Sequence, residues 1–213
     1  MQLEEQSGAS SAGAEANARL TAITSMVLLV LILAELVTVF LNPRKVLTVH
    51  DTIGLILVPV VALKLGSASW RMVGYYIRQK GYRELGPPAW FFRILGSIIG
   101  ILTIALLASG VLLVIGPASL HSGALFSHKV SFYLWLIAVV AHAAPHMARG
   151  FRVASRDWSE RFRGAVPGAT VRLAAVVSCL AIGGLLAVGL ANTSETYVHQ
   201  YHPTSNQLGA PGP

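Results

Sequence analysis

Residues 127–142 read SHKVSFYLWLIAVVAH, an almost unbroken apolar run with a histidine near each end. Its length and composition make it a helix that can sit in a bilayer. The 14 residues from His128 to His142 amount to about four helical turns and a rise of about 21 Å, so both imidazoles fall on nearly one face at two depths.

The rest of the chain extends this pattern. Of its 213 residues 54% are hydrophobic and only 12% charged, with a mean hydropathy of +0.63, far from the profile of a water-soluble domain. The expectation is an all-α, polytopic membrane bundle of five transmembrane helices, at about 20–41, 46–66, 91–116, 127–148 and 168–191. A disordered cytoplasmic tail, 1–19, is expected before the 20–191 bundle, and an extracytoplasmic tail, 192–213, after it. Pro59 would kink the second span. The net charge of +7 could suggest nucleic acid in a soluble chain. Here the basic residues lie between apolar runs, as in the loops of membrane proteins, which argues for no nucleic-acid partner. The single cysteine, Cys179, sits in an apolar segment and gives no disulfide framework.

Basic residues also set the orientation. Arg71, Arg78, Lys80, Arg83 and Arg93 lie between the second and third spans, and Arg149, Arg152, Arg156, Arg161 and Arg163 between the fourth and fifth. With five spans these connections share a side. The positive-inside rule then places the amino terminus in the cytoplasm and the carboxyl terminus outside, in the plasma membrane. Trp70, Trp90 and Trp158, with Tyr75 and Tyr76, cluster at that cytoplasmic boundary, where amphipathic rings are favoured.

On this topology His50 and His128 enter their spans from the same outer side and belong at the same depth. Two neutral imidazoles facing each other across a helix bundle are the usual way to hold a b-type haem. The alternative is a pair of boundary residues with amphipathic rings. At the inner level the same count of 14 from His50 reaches Lys64 rather than a histidine, while from His128 it reaches His142. For Lys64 three readings stand side by side: an amine ligand to an inner haem iron, a partner for a haem propionate, or an ammonium snorkelling to the cytoplasmic boundary. If an inner haem exists, His142 is the better ligand by register. His146, four residues on and beyond Pro145, is a candidate for propionate, quinone or proton contacts.

The layout of "TVHDTIG", "SHKVSF" and "VVAHAAPH" resembles the di-haem membrane cytochrome b group, which includes ferric-reductase transmembrane domains and the cytochrome b subunits of membrane-bound dehydrogenases. In that group paired histidines on each of two helices hold stacked haems in a central four-helix bundle. The resemblance covers about residues 46–148 and departs at Lys64. It implies one or two b-type haems, with His50 and His128 on the outer iron and His142 and Lys64 at the inner one. It also implies electron transfer to or from a quinone or a redox partner protein, as a subunit of an oxidoreductase rather than a self-contained enzyme. Arg71 and Arg149 would neutralise inner propionates, as Arg44, Lys45 and Lys129 would outer ones.

Glu35, in the outer part of the first span, is read as a proton relay or as the ion-pair partner of Arg44 or Lys45. Gly96 and Gly100 in "GSIIG" have the small-residue spacing that brings helices close, either inside the bundle or between copies in a homo-oligomer. His199 and His202 read as part of a polar tail. The chain shows no serine, cysteine or carboxylate constellation suited to hydrolysis, no phosphate-cradling glycine loop after a strand, and no room for a nicotinamide or flavin domain. The competing reading is a haem-free membrane protein, a transporter, metal-handling protein or anchoring scaffold, whose polar residues Glu35, Lys64 and His142 line a pathway.

Overall fold

The computed structural model describes residues 2–41, 43–84, 90–143, 147–159 and 167–193, and they form helices and turns with no strand among them. The helices are α1 (Gln2–Phe40), α2 (Pro43–Tyr76), α3 (Lys80–Glu84), α4 (Trp90–Ile115), α5 (Ala118–Ala143), α6 (Met147–Trp158) and α7 (Ala169–Gly189). Five contain segments long and apolar enough to cross a membrane: Ala12–Phe40, Val46–Tyr76, Trp90–Ile115, Ala118–His142 and Ala169–Gly189. Large apolar side chains face outward all along them, among them Val30, Ile101, Ile137 and Val188, each more than 65% exposed. That surface suits lipid and would be poorly tolerated in water.

Two antiparallel pairs organise the bundle. α1 runs against α2 and α4 against α5, while α7 packs on the other flank of α2. Leu28, Leu57, Val60 and Val61 form a buried cluster between α1 and α2, onto which Cys179 and Leu180 of α7 pack. Cys179 is thus a small packing residue, as its sequence context suggests. Where α2 and α7 meet, a Cβ on Gly183 would lie 2.7 Å from Ile56 Cα, so the two backbones touch and only glycine fits. A second cluster of Ile23, Ala154 and Val176 ties α6 onto α1 and α7. α3 also packs on α1, so the basic connections gather at one end of the bundle.

Several helix limits differ from the sequence expectation. Residues 2–19, expected as a disordered tail, continue α1. The last turns of this extension are held by contacts to α2: Asn17 donates to Ser67 O at 2.9 Å and Thr21 to Ser67 Oγ at 3.0 Å. The segment is also rich in Ala, Glu and Gln, all good helix formers. α2 runs ten residues past the expected limit, to Tyr76. Lys64 is therefore well inside a helix and not near its end. Non-helical dihedrals in α2 occur at Val46 (φ −123°, ψ 19°) and not at Pro59, whose expected kink is absorbed within the helix. α5 begins at Ala118 rather than 127, directly after the Gly116-Pro117 turn that ends α4, because proline readily opens a helix. His128 consequently lies ten residues inside its helix.

Candidate functional site

His50 of α2 and His128 of α5 come together, with ring centroids 6.2 Å apart and planes at 83°. Each ring is tethered by Nδ1 to the helix behind it. His50 Nδ1 lies 2.9 Å from Thr38 Oγ1 and 3.2 Å from Glu35 Oε1, both on α1. His128 Nδ1 lies 3.0 Å from the carbonyl oxygen of Leu106 and 3.3 Å from Ser109 Oγ, both on α4.

The Leu106 carbonyl decides the tautomer of one ring, and Thr38 suits the same tautomer in the other. A carbonyl oxygen only accepts, so His128 must carry its proton on Nδ1 and donate it to Leu106 O. With the single hydroxyl proton of Thr38 donated to Glu35 O at 2.6 Å, its oxygen is left to accept from His50 Nδ1–H. In both neutral rings the lone pair is then on Nε2, and neither Nε2 has a hydrogen-bond partner among the described residues. This is the arrangement of metal-ligating histidines, in which one ring nitrogen binds and the other donates to a carbonyl, hydroxyl or carboxylate that fixes the ring. Two imidazoles sharing one metal ion from opposite sides, each with nitrogen about 2 Å from it, would keep ring centres about 6 Å apart. Among the described residues no group of three or more His, Cys, Asp or Glu side chains could hold a bare ion. Two ligands suffice where a macrocycle supplies the others, so the donor set fits haem iron.

The seat of His128 is built by α4. A Cβ on Gly110 would lie 3.2 Å from His128 Cε1 and 3.4 Å from Nδ1, so the ring occupies the space that a side chain there would take. Seven residues along each helix, Trp135 Nε1 donates to Thr103 Oγ1 at 2.8 Å. Seven further on, His142 lies 3.9 Å from where a Cβ of Gly96 would be, and its ring meets Phe92 edge-on at 5.9 Å. Gly96, Thr103 and Gly110 thus face His142, Trp135 and His128 in one continuous seven-residue register, the spacing of paired helices. Gly100, the other half of the "GSIIG" pair, faces Leu65 of α2 at 3.7 Å. Both glycines of that pair serve packing within the chain.

The inner level is not a copy of the outer one. Lys64 Nζ donates to Thr21 O at 3.1 Å and to Ser25 Oγ at 2.6 Å, so its amine is held by α1, whereas His142 is seated on α4. A neighbouring helix thus supplies two acceptors to this amine, as a buried Lys requires. Glu35 Oε1 faces His50, and its Oε2 is buried without a hydrogen-bond partner among the described residues. Arg71 is half-buried in α2. His146, His199 and His202, and the side chains of Arg44, Lys45 and Arg149, lie outside the described residues.

Thr38, Ser109, Gly110, Thr103 and Trp135 escape sequence reasoning. A signal for two of them is present, since Thr103 and Gly110 continue from Gly96 at intervals of seven residues, opposite a histidine pair with twice that spacing. No family model matches this chain, and neither a curated protein nor a solved structure shows significant similarity to it.

Proposed function

We propose that this chain is a b-type membrane cytochrome in which one haem iron is held between His50 and His128. The observation that carries the reading is the geometry of the pair: two rings with centroids 6.2 Å apart, each with Nδ1 within hydrogen-bond distance of the helix behind it. Bound there, the haem would supply a one-electron carrier inside the bilayer. The chain's own part is to hold both imidazoles at one level. Thr38 and Glu35 fix one ring, and Leu106 O and Ser109 fix the other. Hydrogen bonds to the distal nitrogens also raise ligand basicity and so bear on the potential.

His142 on Gly96 repeats half of this seat, but the amine that would complete an inner site is engaged by Thr21 and Ser25. The reading is therefore one haem, in an electron-transfer subunit of the plasma membrane whose amino terminus is cytoplasmic by the distribution of basic residues. Its electron partner is a quinone or a redox protein.

The test is a dithionite-reduced minus oxidised spectrum of the purified chain, with haem-to-polypeptide stoichiometry. A b-type spectrum at one haem per chain is expected, lost in His50→Ala and His128→Ala and kept in His142→Ala. A colourless preparation from haem-replete cells would refute it. That result would favour the haem-free reading, in which Glu35 and Lys64, both between α1 and α2, line a polar path.

A further inference from the structure

We propose that the cleft between α1 and α6 binds the phosphate of an anionic phospholipid headgroup. The cleft encloses about 280 Å³ and is lined by Arg19, Arg152, Val153 and Arg156. Arg152 and Arg156 are four residues apart, and so on one face of α6, with Arg19 opposite them on α1. Arg19 is stiffened by Glu15, whose Oε1 accepts from Nε at 3.1 Å and from Nη2 at 2.7 Å. Arg152 and Arg156 bring two guanidinium groups to the cleft beside the Arg19–Glu15 pair. Guanidinium forks match phosphate oxygens in shape and give charge-assisted, paired hydrogen bonds. The volume admits a phosphate group with several waters, each taking about 30 Å³.

The depth of the cleft selects a lipid as the source of that phosphate. Ile23, one turn beyond Arg19, is fully buried against Ala154 and Val176, so apolar packing starts one turn from the cleft. α6 carries a sharply segregated sequence, MARGFRVASRDW, with Ala154 turned into the bundle while Phe151 and Trp158 are left exposed. A short basic helix that turns arginines to one side and aromatic rings to another lies along a membrane surface, where lipid phosphates sit. This proposal is independent of the haem.

The test titrates the full-length chain in dodecyl maltoside micelles with dioctanoyl phosphatidylglycerol, dioctanoyl phosphatidylcholine and inorganic phosphate, followed by calorimetry. Saturable binding of one phosphatidylglycerol is expected, at least about tenfold tighter than either comparison ligand. The double variant Arg152→Gln/Arg156→Gln should lose about tenfold or more, Arg152→Lys/Arg156→Lys should recover part of it, and Arg83→Gln, at the same end of the bundle, should bind as the parent does. Equal affinity for the two lipids, or undiminished binding by a monodisperse glutamine variant, would overturn the proposal. Inorganic phosphate binding as tightly as phosphatidylglycerol would overturn the lipid source and assign the cleft to a soluble phosphate.

Discussion

Replacing Gly110 by Ala tests whether His128 is seated on α4 as described, and Gly96→Ala supplies its control. Both substitutions add one methyl group to the same helix, and both gain up to about 1 kcal/mol of helix propensity. They differ in what the methyl meets. At Gly96 it would lie 3.9 Å from His142 Cε1, an ordinary contact, whereas at Gly110 it would lie 3.2 Å from His128 Cε1 and 3.4 Å from Nδ1. The His128 ring must then yield by a few tenths of an ångström. It is held by Leu106 O at 3.0 Å and by Ser109 Oγ at 3.3 Å, so yielding strains those bonds. Overpacking of this kind costs about 1–3 kcal/mol. The propensity gain cancels between the two variants, so Gly110→Ala should be less stable than Gly96→Ala by about 1–3 kcal/mol. Unfolding by sodium dodecyl sulfate in mixed micelles, followed by far-ultraviolet circular dichroism, measures the difference. Equal stability of the two variants would refute the seat. On the cytochrome reading, Gly110→Ala should also shift the low-spin absorption bands while Gly96→Ala leaves them in place.

Gly183→Ala should destabilise the bundle by about 1–3 kcal/mol or more, because the new Cβ meets Ile56 Cα at 2.7 Å and Ile56 O at 2.9 Å, whereas Gly184→Ala, with open space before it, should be neutral or stabilising by up to about 1 kcal/mol in the same assay. A double-mutant cycle of Trp135→Phe and Thr103→Val should give a coupling of about 0.6 kcal/mol, with about 1.7 kcal/mol as the ceiling for such bonds in a membrane; zero coupling would remove the 2.8 Å hydrogen bond from the account. Lys64→Met should lower stability by about 1–2 kcal/mol through loss of the bonds to Thr21 and Ser25, yet leave haem content and spectrum unchanged. A changed spectrum would place the amine on iron after all.

The sequence makes the five apolar helices legible because each is an apolar stretch of sufficient length, a property that survives any detail of packing. The approach of His50 to His128 is legible for a similar reason: loop charges and helix rise together fix depth. Rotation about the helix axis is harder to read, and it is what the site turns on. That Glu35 meets His50 depends on which way α1 faces, and nothing in the charge pattern says so. The partners of Lys64 are hidden for the same reason: that α1 turns Thr21 and Ser25 toward its amine is a matter of rotation. The start of α5 is set by the Gly116-Pro117 turn, a local stereochemical signal that average hydropathy smooths away. The extension of α1 below Thr21 depends on Asn17 finding Ser67, a contact 50 residues distant along the chain.

The seven-residue register of α4 against α5 makes chain length, more than side-chain identity, the quantity on which this half of the protein depends. Inserting or deleting a single residue between Gly96 and Gly110 would turn everything beyond it by about 100°. One of the two small positions would then be carried away from the ring it accommodates, and a bulkier neighbour would be presented there instead. Exchanges among Ile, Leu and Val in that stretch keep the phase and should pass almost unnoticed, while a one-codon slip in the same place should cost the protein both the seat and the redox centre proposed for it.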